Sequence, residues 1–442
     1  MKKNSTVYIE TYGCQMNVSD SEIVASVLTR EGYTSTSDIG KADIILVNTC
    51  SIRENAEERV RKRLQYFKSL RKKQPGLVIG LLGCMAERTK SALLEEEQLL
   101  DLIAGPDSYR HLPQLLELVG NGQRAIDTIL SADETYADIS PVRINGNGVT
   151  AYISIMRGCE NHCSYCVVPS TRGVERSRNA DTIIQETRNL FGQGYREVTL
   201  LGQNVNSYHW QQGLQDTSFP KLLEKVAQVD PLLRIRFATS HPKDLSDELL
   251  FVMARYNNLC KAIHLPVQSG SNKMLDLMNR KYTRDEYMDR ISAIHHYLPE
   301  CTITTDIITG FCQETEADHR DTLSLMEWAG FSAAFMFKYS EREQTLASET
   351  WKDDVPVEVK DRRLKEIIDL QQYLSLKSNQ KDIGCVQEIL IEGISKRSKN
   401  HYFGRNSQNK VAVFKNTGTH LGDYVYVRIS GATSATLTGE LV

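Results

Sequence analysis

Between residues 151 and 337, short β-rich runs alternate with helical stretches six times in succession. The runs lie at 152–156, 197–201, 234–238, 262–267, 302–308 and 333–337, and helical periodicity fills the gaps at about 180–193, 218–229, 244–256, 271–298 and 314–329. Strands that alternate with helices pair in parallel and carry the helices on the sheet faces. Six successive units make a doubly wound sheet or a complete or partial barrel, and the pattern alone leaves both open.

A shorter alternation precedes this one, with strands at 6–12, 43–47 and 77–82 and helices at 22–30 and about 54–73. Ser19-Asp20-Ser21-Glu22 reads as a capping box, with Ser19 as the cap and Glu22 reaching back. A loop-rich stretch at 132–148 closes the segment. After the six units comes one amphipathic helix, 357–381, and then β-rich runs at 385–392, 411–414, 424–430 and 434–442, separated by turn residues. These read as a small all-β barrel. The expected architecture is an α/β multidomain chain. It has an N-terminal α/β open parallel sheet (4–120), a central βα domain (145–375) and a C-terminal β-barrel (378–442).

The chain has 442 residues, 53 Lys plus Arg and 56 Asp plus Glu, a net charge of −3. That balance excludes a protein coating nucleic acid over its whole surface. The charge is uneven, however, because residues 378–442 alone carry +3. The first ten residues lack an apolar signal core, and the longest apolar run, 78–86, is far below the ~20 residues of a membrane span. A cytoplasmic protein without a membrane anchor is expected, and there cysteines stay reduced. Ten cysteines therefore call for explanation by position rather than by pairing.

Cys159, Cys163 and Cys166 form a C-x3-C-x2-C loop just after the first strand of the long alternation. Three thiolates in so tight a loop suit three irons of a 4Fe–4S cluster and leave the fourth iron open. A zinc site would need His162 as fourth ligand, and disulfide exchange would use only Cys163 and Cys166. A second set is spread out. Cys14, Cys50 and Cys84 each sit just beyond the carboxyl end of a predicted parallel strand, where open α/β sheets bind ligands. Gly13 and Gly83 permit sharp turns before two of them. Such a set points to a shared metal or cluster, although a lone cysteine there would simply be a small buried residue. Cys260, Cys301, Cys312 and Cys385 show no ligand-like arrangement.

With Tyr165 in its C-x-aromatic-C portion, the cysteine loop resembles that of the radical S-adenosylmethionine (SAM) superfamily, whose fold is a partial or full βα barrel. Together with the three spread cysteines and the terminal barrel, essentially the whole chain resembles the methylthiotransferase family of that superfamily. Further family-like strings are 167–173, 201–205, 239–242, 264–271 and 306–311. The resemblance implies a central partial (βα)6 barrel and a terminal RNA-binding domain of the TRAM type. It also implies two 4Fe–4S clusters, one on Cys159, Cys163 and Cys166 that binds and cleaves SAM, and an auxiliary one on Cys14, Cys50 and Cys84. The match is closest to the group that methylthiolates C2 of N6-isopentenyladenosine beside the anticodon of tRNA, using two SAM molecules per product. Sibling activities on N6-threonylcarbamoyladenosine or on a ribosomal-protein aspartate, and a non-catalytic iron–sulfur carrier, are the alternatives. A flavodoxin or ferredoxin as electron donor and a monomeric state are expected. The sulfur donor is left open.

Further site residues follow. Tyr165, Gln203, Asn204, Gln268, Asp306 and Phe311 are expected near SAM, the amides because they bond polar groups without adding charge, and Phe311 as a ring for adenine. Arg172, Arg176 and Arg178 are expected at tRNA phosphates, and Lys396, Arg397, Lys399 and Arg405 interleave with aromatics as RNA contacts require. The helix at 59–73 holds eight basic residues and no acid, which suits the helix dipole as well as RNA. Gln313 and Gln344 stand where the family pattern has glycine. Glutamine resists a positive-φ turn, so altered loop geometry is expected there.

Overall fold

The computed structural model describes residues 5–50, 54–89, 99–144, 146–416 and 418–442. The chain divides into two compact units. The first comprises 1–145, 154–162 and 166–182, the second 146–153, 163–165 and 183–442.

The first unit is built on a parallel sheet of strands β1 (Thr6–Tyr12), β2 (Thr34–Ser35), β3 (Ile44–Thr49), β4 (Val78–Gly83), β5 (Leu102–Ala104) and β6 (Ala125–Asp127). Their order is β2-β1-β3-β4-β5-β6. Every residue of β3 and β4 is buried, as continuous apolar runs in a helix-covered parallel sheet require. Val24, Leu28, Leu112 and Leu116 pack on one face, and Val60, Leu64 and Phe67 on the other. Three strands were legible from sequence. The other three have only two or three residues each, too short for a period-2 signal.

The expected capping box is not formed. The first helix starts earlier, at Gln15, and runs to Arg30 with Cys14 as its N-cap. Ser19 and Glu22 are buried in its interior. The Asn17 side chain takes the cap role instead, its Oδ1 accepting from the Cys14 N–H at 3.2 Å. An antiparallel clip of β8 (Met156–Arg157) and β9 (Arg176–Ser177) also belongs to this unit.

In the second unit, β7 (Thr150–Ser154), β10 (Glu197–Leu201) and β13 (Arg234–Ala238) form one sheet in the order β13-β10-β7. A hairpin of β11 (His209–Gln212) and β12 (Gln215–Ser218) inserts between β10 and the helix that follows it, Phe219–Ala227. Strands β14 (Ala262–His264), β15 (Thr302–Thr309) and β16 (Ala333–Lys338) form a second sheet, and a parallel bridge joins Ile235 to Leu259 just before β14. This is the partial (βα)6 arrangement. The single helix expected at 271–298 is two, Asn272–Leu277 and Arg284–Tyr297. The break carries Asn279 and Lys281 at positive φ.

Helix Val357–Gln380 leads to a closed barrel of β17 (Val386–Ile394), β18 (His401–Arg405), β19 (Val411–Lys415), β20 (Tyr424–Ala432) and β21 (Leu437–Leu441). Ile389, Ile391, Phe414, Val427 and Ile429 fill it. The barrel is tied to the amino ends of the core strands. The Arg236 guanidinium donates to Glu197 Oε2 at 2.8 Å and to the Asn406 carbonyl at 2.7 Å, and Arg405 donates to Glu197 Oε1 at 2.8 Å. The expected turn at 415–418 includes Thr417, which lies outside the described residues.

Gln313 and Gln344 keep the left-handed backbone, with φ of 63° and 64°. Each glutamine thus holds a conformation that a residue with a Cβ rarely adopts, at the cost of local strain.

Candidate metal centres

In the first unit, strand register brings the spread cysteines together. Tyr12 lies opposite Thr49, and Thr49 opposite Gly83. Cys14, Cys50 and Cys84 follow directly at the carboxyl edge of three adjacent strands, which lie about 4.8 Å apart. The Cys50 N–H bonds the Tyr12 carbonyl at 3.2 Å. The edge is crowded. A Cβ on Gly13, at φ 138°, would lie 2.7 Å from Cys50 Cβ, and one on Gly83, at φ 89°, 2.4 Å from Asn48 Oδ1. Only glycine lets these turns close over the thiols. Asn17 and Asn48 form the floor. Asn17 Nδ2 donates to Asn48 Oδ1 at 3.1 Å, and Asn17 Oδ1 accepts from Cys14 Sγ at 3.3 Å.

The electrostatics differ along the edge. Hydrogen bonding from Cys50, then the Arg172 charge, outweigh burial and bring the Cys14 thiol down to about 6. Cys84 moves the other way because burial dominates there, opposed by Arg172. Among the described residues, no three His, Cys, Asp or Glu side chains converge tightly enough for one metal ion. A lone ion with Zn–S bonds of ~2.3 Å needs a closer cage than a four-iron cluster does.

The C-x3-C-x2-C loop contributes to both units. In the first, Asn161 Nδ2 donates to Cys159 Sγ at 3.6 Å and the Val168 N–H to Cys166 Sγ at 3.5 Å. In the second, Arg280 donates to Cys163 Sγ at 3.2 Å. Each sulfur thus has an N–H donor, the pattern that tunes cluster ligands. Arg280 is buried. Its other partners are the Tyr282 hydroxyl at 3.0 Å and the Pro266 carbonyl at 2.9 Å.

Several expected contacts are replaced by internal ones. Arg172, Arg176 and Arg178 are buried rather than open to tRNA phosphates. Arg172 donates to Asp20 at 2.7 Å and to Cys84 Sγ at 3.2 Å, Arg176 pairs with Asp107 at 2.8 Å, and Arg178 bonds Thr182 at 3.0 Å. Arg157 completes this network at 2.8 Å from Asp20. Phe311 is fully buried in an aromatic cluster, 4.8 Å from Tyr339, 6.1 Å from Trp351 and 6.5 Å from Tyr165 between ring centres, so no adenine reaches its face. Asn204 spends its amide on Asp244 at 2.7 Å and the His241 N–H at 3.1 Å. Arg405 is ion-paired with Glu197 and Glu392.

Others are placed without such commitments. Gln203 Oε1 and Gln268 Oε1 are buried with no hydrogen-bond partner, and Gln268 sits at φ 72°. Two such oxygens suit an ammonium or hydroxyl donor. Asp306 lies 3.4 Å from His264 Nε2. Lys396, Arg397 and Lys399 are exposed between β17 and β18. In the basic helix, now Glu54–Lys73, Arg63 pairs with Glu10 at 2.7 Å and Arg71 with Asp101, while Lys72 and Lys73 are exposed.

Sequence reasoning missed Asn17, Asp20, Asn48 and Arg280. Arg157, two residues before Cys159, was given no role either. Asp20 stood in the expected capping box, and only the helix start at Gln15 places it inside a buried helix.

Comparison with known proteins agrees with this layout. Residues 6–105 match the uncharacterized protein family UPF0004, 153–326 the radical SAM superfamily and 380–442 the TRAM domain. The tRNA-2-methylthio-N(6)-dimethylallyladenosine synthase of Amoebophilus asiaticus is 55% identical, covering 98% of this chain and 92% of that protein. The synthase of Bacteroides fragilis is 54% identical, covering 99% and 96%. The chain belongs to the tRNA-2-methylthio-N(6)-dimethylallyladenosine synthase family. Its domains therefore include a radical SAM core, for which a 4Fe–4S cluster and SAM are the family's cofactors. The radical SAM methyltransferase TsrM from Kitasatospora setae has the same core fold, with a TM-score of 0.58 at 13% identity over 78% of this chain and 74% of its own. Among the described residues, no helix is long and apolar enough to cross a membrane.

Proposed function

We propose that this protein methylthiolates C2 of N6-isopentenyladenosine beside the anticodon of tRNA. The observation that carries the reading is the three-thiol strand edge, Cys14, Cys50 and Cys84, in a chain 54–55% identical to synthases of this class over nearly its full length. An aromatic C–H offers no acidic proton, so acid–base catalysis has little purchase on it. Cys159, Cys163 and Cys166 would hold the SAM-binding cluster, and the strand-edge thiols the auxiliary one. Bound there, the clusters and SAM supply one-electron, methyl-transfer and sulfur-transfer chemistry, with two SAM molecules used per product.

The protein's own residues do the holding. Gly13 and Gly83 shape the turns at the auxiliary thiols, with Asn17 and Asn48 beneath them. Arg280 and Arg172 set positive charge on one thiol of each set. Gln203 and Gln268 offer free amide oxygens to SAM, and Tyr165 and Asp306 stand on the same core. Lys396, Arg397 and Lys399 would meet tRNA phosphates. A flavodoxin or ferredoxin would supply electrons, and the setting would be cytoplasmic, with the chain a monomer.

The test is anaerobic cluster loading followed by mass spectrometry of nucleosides from isopentenylated tRNA. A methylthio-adenosine product is expected. Cys14→Ala should abolish it while SAM is still cleaved to 5′-deoxyadenosine. Sulfur transfer at the full rate by Cys14→Ala would remove the auxiliary site from the reaction.

A further inference from the structure

We infer that Arg172 is a positioning residue that sets the reduction potential of the auxiliary centre through Cys84. The inference rests on the proposed auxiliary cluster at Cys14, Cys50 and Cys84.

The geometry lies wholly within the first unit. Arg172 Nε is 3.2 Å from Cys84 Sγ, and its NH2 is 2.7 Å from Asp20 Oδ2. Asp20 also accepts from Arg157 at 2.8 Å, and Asp107 holds Arg176 at 2.8 Å and lies 3.8 Å from Arg157. All five side chains are buried. Three guanidinium groups share these two carboxylates, and Glu87, also buried, lies against Gly105 of the same segment. Cys84 Sγ is the sulfur that Arg172 touches. Arg172 NH1 is also buried with no hydrogen-bond partner, a donor left open beside the thiol edge.

Asp20 braces the guanidinium so that Nε–H stays on the sulfur. Hydrogen bonds to cluster sulfurs and nearby positive charge both stabilise the more negative, reduced state, and so raise the potential. Arg172 ends the short helix Val168–Arg172, which begins two residues after Cys166. The segment that supplies a ligand of the SAM-binding loop thus also supplies the charge on the auxiliary ligand.

The experiment uses the full chain carrying C159A, C163A and C166A, loaded anaerobically with iron and sulfide, so that the auxiliary centre alone is read. Four irons per chain and a reducible EPR signal are expected. R172Q should keep its iron but lower the midpoint, with at least a tenfold smaller reduced-to-oxidised ratio at the unsubstituted protein's midpoint, which is 59 mV for one electron. R172K, which retains the charge, should recover part of the shift. A fully loaded R172Q with an unchanged midpoint overturns the inference. If R172Q takes up no iron, pulsed EPR of the unsubstituted arginine site in 15N-arginine-labelled protein decides. An arginine 15N coupling at the reduced centre supports the contact, and its absence overturns it. Failure of the triple-alanine chain itself to bind iron overturns the auxiliary-cluster reading and this inference with it, and is distinguishable because R172 is then intact.

Discussion

Two buried arginines touch thiols at the same distance, and their surroundings differ. In the first unit Arg172 reaches Cys84 at 3.2 Å while Asp20 holds its other edge. In the second, Arg280 reaches Cys163 at 3.2 Å with only a tyrosine hydroxyl and a backbone carbonyl besides. No carboxylate among the described residues is ion-paired with Arg280. Burial opposes both charges. The first site offsets that cost with a carboxylate that also fixes the guanidinium. The second depends on neutral acceptors and on the Cys163 sulfur. The same contact is thus a braced device in one unit and a partly uncompensated charge in the other.

Asp20→Asn should have the largest effect, because it removes the carboxylate that Arg157 and Arg172 share and leaves Arg157 only the more distant Asp107. A loss of about 3–5 kcal/mol is expected in chemical denaturation of the metal-free protein. Arg280→Gln should cost less, about 1–2 kcal/mol, since it unpairs no carboxylate and Tyr282 retains the Val267 carbonyl at 2.9 Å. Equal losses from the two variants would break the contrast.

The second unit should also be the acid-sensitive one. Burial, then the Arg280 charge, push the His241 imidazole down to about 2. A depressed folded-state pKa means that stability is fully present above the ordinary histidine range, near 6.5, and is lost as pH falls from there toward 2. By about pH 5.5 the loss should be about 1.4 kcal/mol, read as a falling denaturation midpoint and absent in His241→Asn. Arg280→Gln should raise the His241 pKa in an NMR titration, whereas Arg172→Gln should leave it alone. Asp20 adds an acid dependence in the first unit at lower pH. The two guanidiniums overcome burial and hold its carboxyl below the usual range, so that contribution persists above the carboxylate range and disappears only under it.

The smallest effect probes strain away from both charges. Gln313→Gly and Gln344→Gly should each stabilise the protein by about 1 kcal/mol, by relieving left-handed backbone on a residue with a Cβ. No gain in melting temperature would mean that the side-chain contacts already offset the strain.

Much of the fold was legible because its signals are local. The strands at 197–201 and 234–238 have the expected bounds, and the six-unit alternation fixed the class of the core. The ligand cysteines were legible because strand ends and a tight loop are sequence-local features. The arginines were misread for the same reason. Basic residues beside a cysteine loop look like phosphate contacts, but Asp20 and Asp107, which claim Arg172 and Arg176, lie 152 and 69 residues away along the chain. Phe311 was misread likewise, since Tyr339 and Trp351, which enclose it, are distant in sequence.

By itself, then, the sequence determined the element order, the two cysteine sets and the family to which the chain is similar, because spacing and periodicity are properties of neighbouring residues. Only the tertiary structure decided which charges are spent internally. Whether a guanidinium meets a carboxylate, a thiol or solvent depends on burial and on partners from remote strands. In a buried site, that choice governs both the energy and the chemistry.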